Sequence, residues 1–240
     1  MRVIASNTVA GTSSPFVVAR RVHIVTGRSS GDVLLGDEFF LAAHDDLGGK
    51  LRLHRVNLGL GLAGALLGEL VLTERIAVKR GHLWVSDTRP PEDVLSHSVL
   101  SHLMNEDDVS SVTPWLRYLA ADAYDQVGTR LVHSGHAHRR QARRLLRTVT
   151  VFDLVDPNTA AGPVARLSSR LHARHPLSLL DATLIGLMAA TGLEKEVTRD
   201  APVPAHRLIP DLVGRLPPPL RELVAATETA VGDAVLSHRR

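Results

Sequence analysis

Cysteine is absent from the 240 residues, which removes disulfide frameworks, thiolate catalysis and the common structural zinc sites, and suits a reducing compartment. A cytoplasmic location is the expectation. Lysine is scarce as well: Lys50, Lys79 and Lys195 are the only three, so the basic character rests on arginine, a bias that looks like a GC-rich bacterial genome. No uninterrupted apolar run approaches the roughly 20 residues needed to span a bilayer. The first thirty residues interrupt every apolar stretch with Asn7, Gly11, Ser13, Ser14 and Pro15, so they lack the apolar centre of a secretory signal and read as a mobile extension. A short strand within residues 16–25 is the alternative. No Gly-x-Ser-x-Gly occurs to place a serine nucleophile.

What is present suits a globular chain. A hydrophobic fraction of 44% over this length supports one large domain or two small ones with a real core. The formal charge of +3 is modest, so what matters is where the arginines lie. Residues 135–157 hold the densest cluster, Arg139, Arg140, Arg143, Arg144 and Arg147, with no acidic residue until Asp153. Val149, Val151 and Phe152 beside them are the β-branched and aromatic types that fit a pleated strand.

Taken in order, the ordered part is expected from residue 31, with a helical stripe at Leu34, Leu35, Phe39, Phe40 and Leu41 and a turn at Gly48-Gly49. Residues 58–72 are apolar nearly all round, which predicts a central buried helix. Gly59, Gly61, Gly64 and Gly68 then allow neighbouring helices to approach closely. Gly59-x-Gly61-x-x-Gly64 imitates a dinucleotide-binding loop, but no strand precedes it. Glu69 is expected to face a cation such as Arg75. Residues 75–85 alternate about Arg80-Gly81 and predict a hairpin. Pro90-Pro91 opens a helix to about Met104, and Pro114 one that continues over residues 115–132 until Gly135. The arginine cluster follows as a second hairpin, so a helix followed at once by paired strands occurs twice. After a loop containing Asn158 and Gly162-Pro163, residues 164–173 predict a basic amphipathic helix. Residues 177–192 predict a second apolar core helix capped by Ser178 or Pro176, and residues 220–235 a closing helix. The fold class is mainly α, a single helical domain with two small β-hairpins.

The segment from Gly61 to Leu70, the hairpin after it, Pro114-Trp115, Leu131-Val132-His133-Ser134-Gly135 leading into the second hairpin with Phe152-Asp153, and the apolar helix from Leu179 to Ala190 occur in a fixed order. In that order and spacing the chain resembles the Golgi phosphoprotein 3 family over about residues 31–240, most strongly its actinobacterial branch. The resemblance implies a peripheral membrane protein and not an enzyme. Eukaryotic members bind phosphatidylinositol 4-phosphate on cytosolic Golgi membranes and retain glycosyltransferases there. At the positions matching the family's headgroup ligands this chain has His54, Ala63, Ala121 and Tyr124, none of them the family's tryptophan or arginines. Arg52 and Arg55 flank His54, and Arg117 lies one turn before Ala121, so His54, Arg55, Arg117 and Tyr124 form a candidate rebuilt pocket.

The expected function is therefore attachment to anionic, phosphoinositide-like lipid headgroups through Arg139, Arg140, Arg143, Arg144 and Arg147 on the inner face of the membrane. An adaptor role would add membrane-protein tails as partners, and an exposed hairpin edge a second copy of the chain. No cofactor or metal is expected. The structural alternative for the cluster is a solvated face whose arginines pair with acids elsewhere. A winged-helix-like DNA-binding regulator is the functional alternative, with the helix before the hairpin in a groove; Asp122 and Asp125 on that helix make nucleic acid the weaker partner. A metal hydrolase, suggested by His44-Asp45 and by His133, His136 and His138, ranks third.

Overall fold

The computed structural model describes residues 24–25, 34–45, 50–106, 110–144, 147–199 and 201–237. The N-terminal extension, apart from two residues, and the expected turn at Gly48-Gly49 lie outside the described residues. Those two residues form β1 (Ile24–Val25), which pairs in parallel with Leu177 and Ser178.

Helix α1 (Leu35–Ala42) lies across α2 (Arg55–Leu72), the axis of the domain. Starting at Arg55, α2 is longer than its apolar run predicts. By length and composition alone it could cross a membrane; 72% of it is buried within the domain, as befits a core helix. Helices α1, α4, α5, α7 and α10 surround it. Their approach depends on the glycines: a Cβ at Gly59 would lie 2.5 Å from the Ala120 carbonyl oxygen of α4, and one at Gly61 2.2 Å from the Phe39 ring of α1.

The chain leaves α2 through Glu74 in the left-handed region and forms β2 (Ile76–Lys79) and β3 (His82–Val85). Arg80 and Gly81 both take positive φ, 53° and 75°, the two-residue turn whose twist matches paired strands. Helix α3 (Val94–Asn105) starts at Asp93, whose carboxylate accepts from the Ser96 N–H at 2.7 Å, and not at the prolines before it.

The single helix expected over residues 115–132 is two. α4 (Val112–Ala120) ends and α5 (Ala123–His133) begins across Ala121-Asp122, where N–H groups bond three residues back, to Tyr118 and Leu119. Neither residue is a helix breaker, and the apolar spacing continues across the joint, so periodicity hides it. The bend lets Trp115, Leu116 and Leu119 on α4 and Ala123, Val127 and Leu131 on α5 all reach the core.

β4 (Ala137–Arg144) and β5 (Arg147–Leu154) form the second antiparallel ribbon. α6 (Pro157–His172) starts seven residues earlier than expected and takes in Gly162 and Pro163. The Asp156 carboxylate caps it, accepting from the Asn158 N–H at 2.9 Å, with proline in the first position. Burial of Ala160, Leu167 and Leu171 outweighs the helix-breaking tendency of the internal proline. β6 (Leu177–Ser178) leads straight into α7 (Leu179–Thr191), where Ser178 and Asp181 make a reciprocal capping box and Gly192, at φ 94°, ends the helix. The proline-rich remainder carries two helices the sequence reading left out, α8 (Glu194–Thr198) and α9 (Ala205–Gly214), before α10 (Pro218–Ser237) packs along α2 and α7.

Candidate functional site

Alternation along β4 and β5 divides the arginine cluster between two faces. Ala137, Arg139, Gln141 and Arg143 share one face with Leu154, Phe152, Thr150 and Thr148; His138, Arg140 and Arg144 share the other with Asp153, Val151 and Arg147. The first face turns inward at its base. Phe152 is fully buried, 5.4 Å from the Tyr124 ring and 6.0 Å from Phe40, and it presses on Gly128 of α5, where a Cβ would lie 2.4 Å from the ring. Beyond this anchor the ribbon is exposed at Arg139, Arg140, Gln141 and Arg143.

Arg140 is bound on the ribbon itself: its Nη2 donates to Asp153 Oδ1 at 2.9 Å, a diagonal cross-strand pair. That hydrogen bond holds the Asp153 carboxyl below the usual carboxylate range. Arg139 and Arg143 make no ion pair with a described residue and stand exposed. Arg144 and Arg147 face each other as the last described backbone pair toward the tip, and their side chains lie outside the described residues.

The second group of candidate residues lies at the start of α2. His54 occupies the N-cap position, its ring nitrogen accepting from the Val56 N–H at 3.5 Å. Arg55 bridges outward: Nη2 donates to the Thr150 carbonyl of β5 at 2.9 Å, and its guanidinium lies 5.0 Å over the Tyr124 ring. Tyr124 is buried, and that burial raises its pKa, partly offset by a hydrogen bond from the Phe152 backbone and by Arg55. Arg55 also lines a cavity of about 520 Å³ between α2, α4 and α10, together with Arg117, Ala121 and Asp233. Arg117 donates to Asp233 at 3.0 Å. Of the four proposed pocket residues, Arg55 and Tyr124 meet at the root of the ribbon, His54 precedes Arg55 as the N-cap of α2, and Arg117 shares only the cavity.

The histidines do not assemble. His44 is buried with Nδ1 2.7 Å from the Phe40 carbonyl and its ring stacked on Phe40, and burial lowers its pKa. His133 and His138 are exposed, and His136 Nδ1 lies 2.9 Å from Ser134 Oγ. Among the described residues no group of three or more histidine, aspartate or glutamate side chains is placed to hold a metal ion.

Sequence reading missed the main buried charge cluster. Glu69 pairs not with Arg75 but with Arg130 of α5, at 2.9 Å, while Arg75, leaving the helix end, binds Asp87 on the far side of its hairpin. Arg130 also reaches Asp37 at 2.8 Å and Asp93 at 2.9 Å, and Glu69 accepts from Ser96 Oγ and the Gly36 N–H. The Asp93 cap was missed because the helix was expected to open at Pro90-Pro91, and the convergence on Arg130 had no local signal.

A helical domain built around one glycine-rich core helix, with a long basic ribbon rooted at that helix's start, is the class these features define. The sequence model of the Golgi phosphoprotein 3 (GPP34) family matches residues 35–234, and the chain belongs to this family. Comparison with curated proteins finds no match.

Proposed function

We propose that the protein is a binding module, not an enzyme, that attaches peripherally to anionic membrane surfaces on the cytoplasmic side through the β4–β5 ribbon. The family is consistent with a lipid-binding or adaptor role in general. The observation that carries the finer reading is the composition of the ribbon beyond its Phe152 anchor. Exposed Arg139 and Arg143 stand on one face of the ribbon and half-buried Val149 and Val151 on the other, with Val155 51% exposed at the base. Basic groups near an anionic leaflet contribute about 1 kcal/mol each, and apolar neighbours add shallow insertion. Arg140, paired with Asp153, contributes less. Arg55 and Arg117 also line the adjoining cavity, but Arg117 is paired with Asp233 there and Arg55 with the Thr150 carbonyl, so a headgroup phosphate would bind only by displacing these partners. Because His54, Ala63, Ala121 and Tyr124 replace the expected headgroup ligands, the surface reads charge density more than one headgroup.

Co-sedimentation with phosphatidylglycerol against phosphatidylcholine vesicles tests this. The wild type should pellet far more with the anionic lipid. The combined Arg139→Ala, Arg140→Ala, Arg143→Ala and Arg144→Ala variant should bind about a hundredfold more weakly, equivalent to roughly 3 kcal/mol. Equal pelleting by both proteins would sink the ribbon's role. Salt-sensitive retention on duplex DNA without vesicle binding would favour α5 and the ribbon acting as helix and wing.

A further inference from the structure

The corner between α3 and α4 holds a small aromatic cavity that the ribbon and its lipid chemistry do not use. Trp115 and Tyr118 lie three residues apart on α4 and so on one side of it. Their rings meet at 90° with centroids 5.5 Å apart, Trp115 3% exposed and Tyr118 59% exposed. Both rings line the cavity, and the Tyr118 phenol supplies its exposed aromatic surface. His102 of α3 meets the Tyr118 ring edge-on, at 6.1 Å and 87°, and props it from outside. Pro114 and Glu106, the C-cap residue of α3, complete the described lining of this open cavity, whose volume is about 260 Å³.

Three features select the ligand class. The exposed Tyr118 face beside a buried indole, with the Glu106 carboxylate in the lining, favours a cation with an apolar surface, because the ring quadrupole attracts positive charge while the apolar lining limits water. The Glu106 carboxylate makes no ion pair with a described residue, and no arginine or lysine is among the described lining residues to compete for it. The volume falls below the roughly 300–1,000 Å³ of pockets for drug-sized molecules, which suits one compact group and not a nucleotide or a folded peptide. The corner is also braced: the Leu83 N–H donates to the Ser110 carbonyl and the Val112 N–H to the Gly81 carbonyl, tying the start of α4 to the β2–β3 hairpin.

We propose that this corner is an aromatic-cage site for a quaternary ammonium group of the choline type, carried by a soluble amine or by a lipid headgroup. Trp115 reports on it directly, since Trp84 is the only other tryptophan, and Trp84→Phe leaves a single emitter. In that background choline should change Trp115 fluorescence saturably. The neutral isostere 3,3-dimethylbutan-1-ol should bind at least about tenfold more weakly, as expected where charge and not methyl packing selects the ligand. Tyr118→Ala and Glu106→Gln should each weaken choline severalfold, and Glu106→Gln does so without disturbing either ring. A second titration uses short-chain phosphatidylcholine below its micelle concentration. Saturation by choline alone assigns a soluble amine; saturation by both assigns a headgroup. No saturable change with either ligand, or an isostere equal to choline, overturns the proposal.

Discussion

Asp37 carries the clearest single-residue consequence of the buried cluster. Its carboxylate lies 2.8 Å from Arg130 Nε, and Glu69 and Asp93 share the same guanidinium. Burial pushes its pKa up from 3.8 to about 6; Arg130 opposes the rise, and the neighbouring Glu69 and Asp93 add to it. Between those values the folded protein holds a proton that the unfolded chain has released. The stability this contributes is therefore fully present below the unfolded value and is lost as pH rises through about 6. A shift of roughly two pH units corresponds to about 3 kcal/mol. Asp37→Asn keeps an oxygen that can accept from Arg130 and removes the titration. Its unfolding free energy relative to wild type should therefore increase by about 2–3 kcal/mol between pH 4 and pH 7.5, measured by urea denaturation at both. A difference independent of pH would show that Arg130 keeps Asp37 ionised throughout. None of this was legible in the sequence: Asp37 and Arg130 are 93 positions apart, and Asp93 and Arg130 37. Local spacing can suggest that Asp93 caps a helix, but not which distant cation it meets.

At the scale of elements, the ribbon depends on the fit of Phe152 against Gly128. Glycine to alanine in a helix interior ordinarily stabilises by about 1 kcal/mol. At Gly128 the added Cβ would lie 2.4 Å from the Phe152 ring, and displacing that ring disturbs its packing on Tyr124 and Phe40. Gly128→Ala should therefore destabilise by about 1–3 kcal/mol, with faster amide hydrogen exchange in β4 and β5 than in α7. A raised melting temperature would mean that Phe152 is not the anchor. Elements with strong local signals were the legible ones. Arg80-Gly81 marked its turn, Ser178 and Gly192 bounded α7, and the apolar run of α2 announced the core helix. The misplaced boundaries are those where tertiary packing prevailed. α6 passes through Gly162-Pro163 because its apolar face is buried, and the joint at Ala121-Asp122 interrupts a stripe whose spacing gives no sign of it. The arginine cluster was legible as a strand pair. Its division into two faces became clear only from the register, and the pairing of Arg140 with Asp153 joins part of the cluster to the solvated-face reading.

Over the whole molecule, α2 sets the distance between the two ribbons. Its first residue, Arg55, bonds to Thr150 of β5, and its last, Leu72, leads into β2. At 1.5 Å per residue a helix of 18 residues is about 27 Å long, close to the thickness of a bilayer's hydrocarbon core. The β2–β3 hairpin, with Trp84 58% exposed, therefore lies at the opposite end from the root of the basic ribbon. The ordered set of motifs made the family legible, but not this polarity, because it depends on which ribbon meets which end of the helix. Attachment through the β4–β5 ribbon keeps Trp84 away from the lipid, although an exposed tryptophan near Lys79 and Arg80 would by composition suit a membrane interface. Two single-tryptophan proteins separate the two ends: one retains Trp84 with Trp115→Phe, and the other carries Val149→Trp with Trp84→Phe and Trp115→Phe. On phosphatidylglycerol vesicles the tryptophan at position 149 should shift to the blue and be quenched by brominated acyl chains, while Trp84 emission stays unchanged. Raising the salt to about 0.5 M should abolish the shift, since surface attraction is screened within the Debye length. Quenching of Trp84 with the residue-149 probe unaffected would reverse the orientation and move the membrane contact to the β2–β3 end.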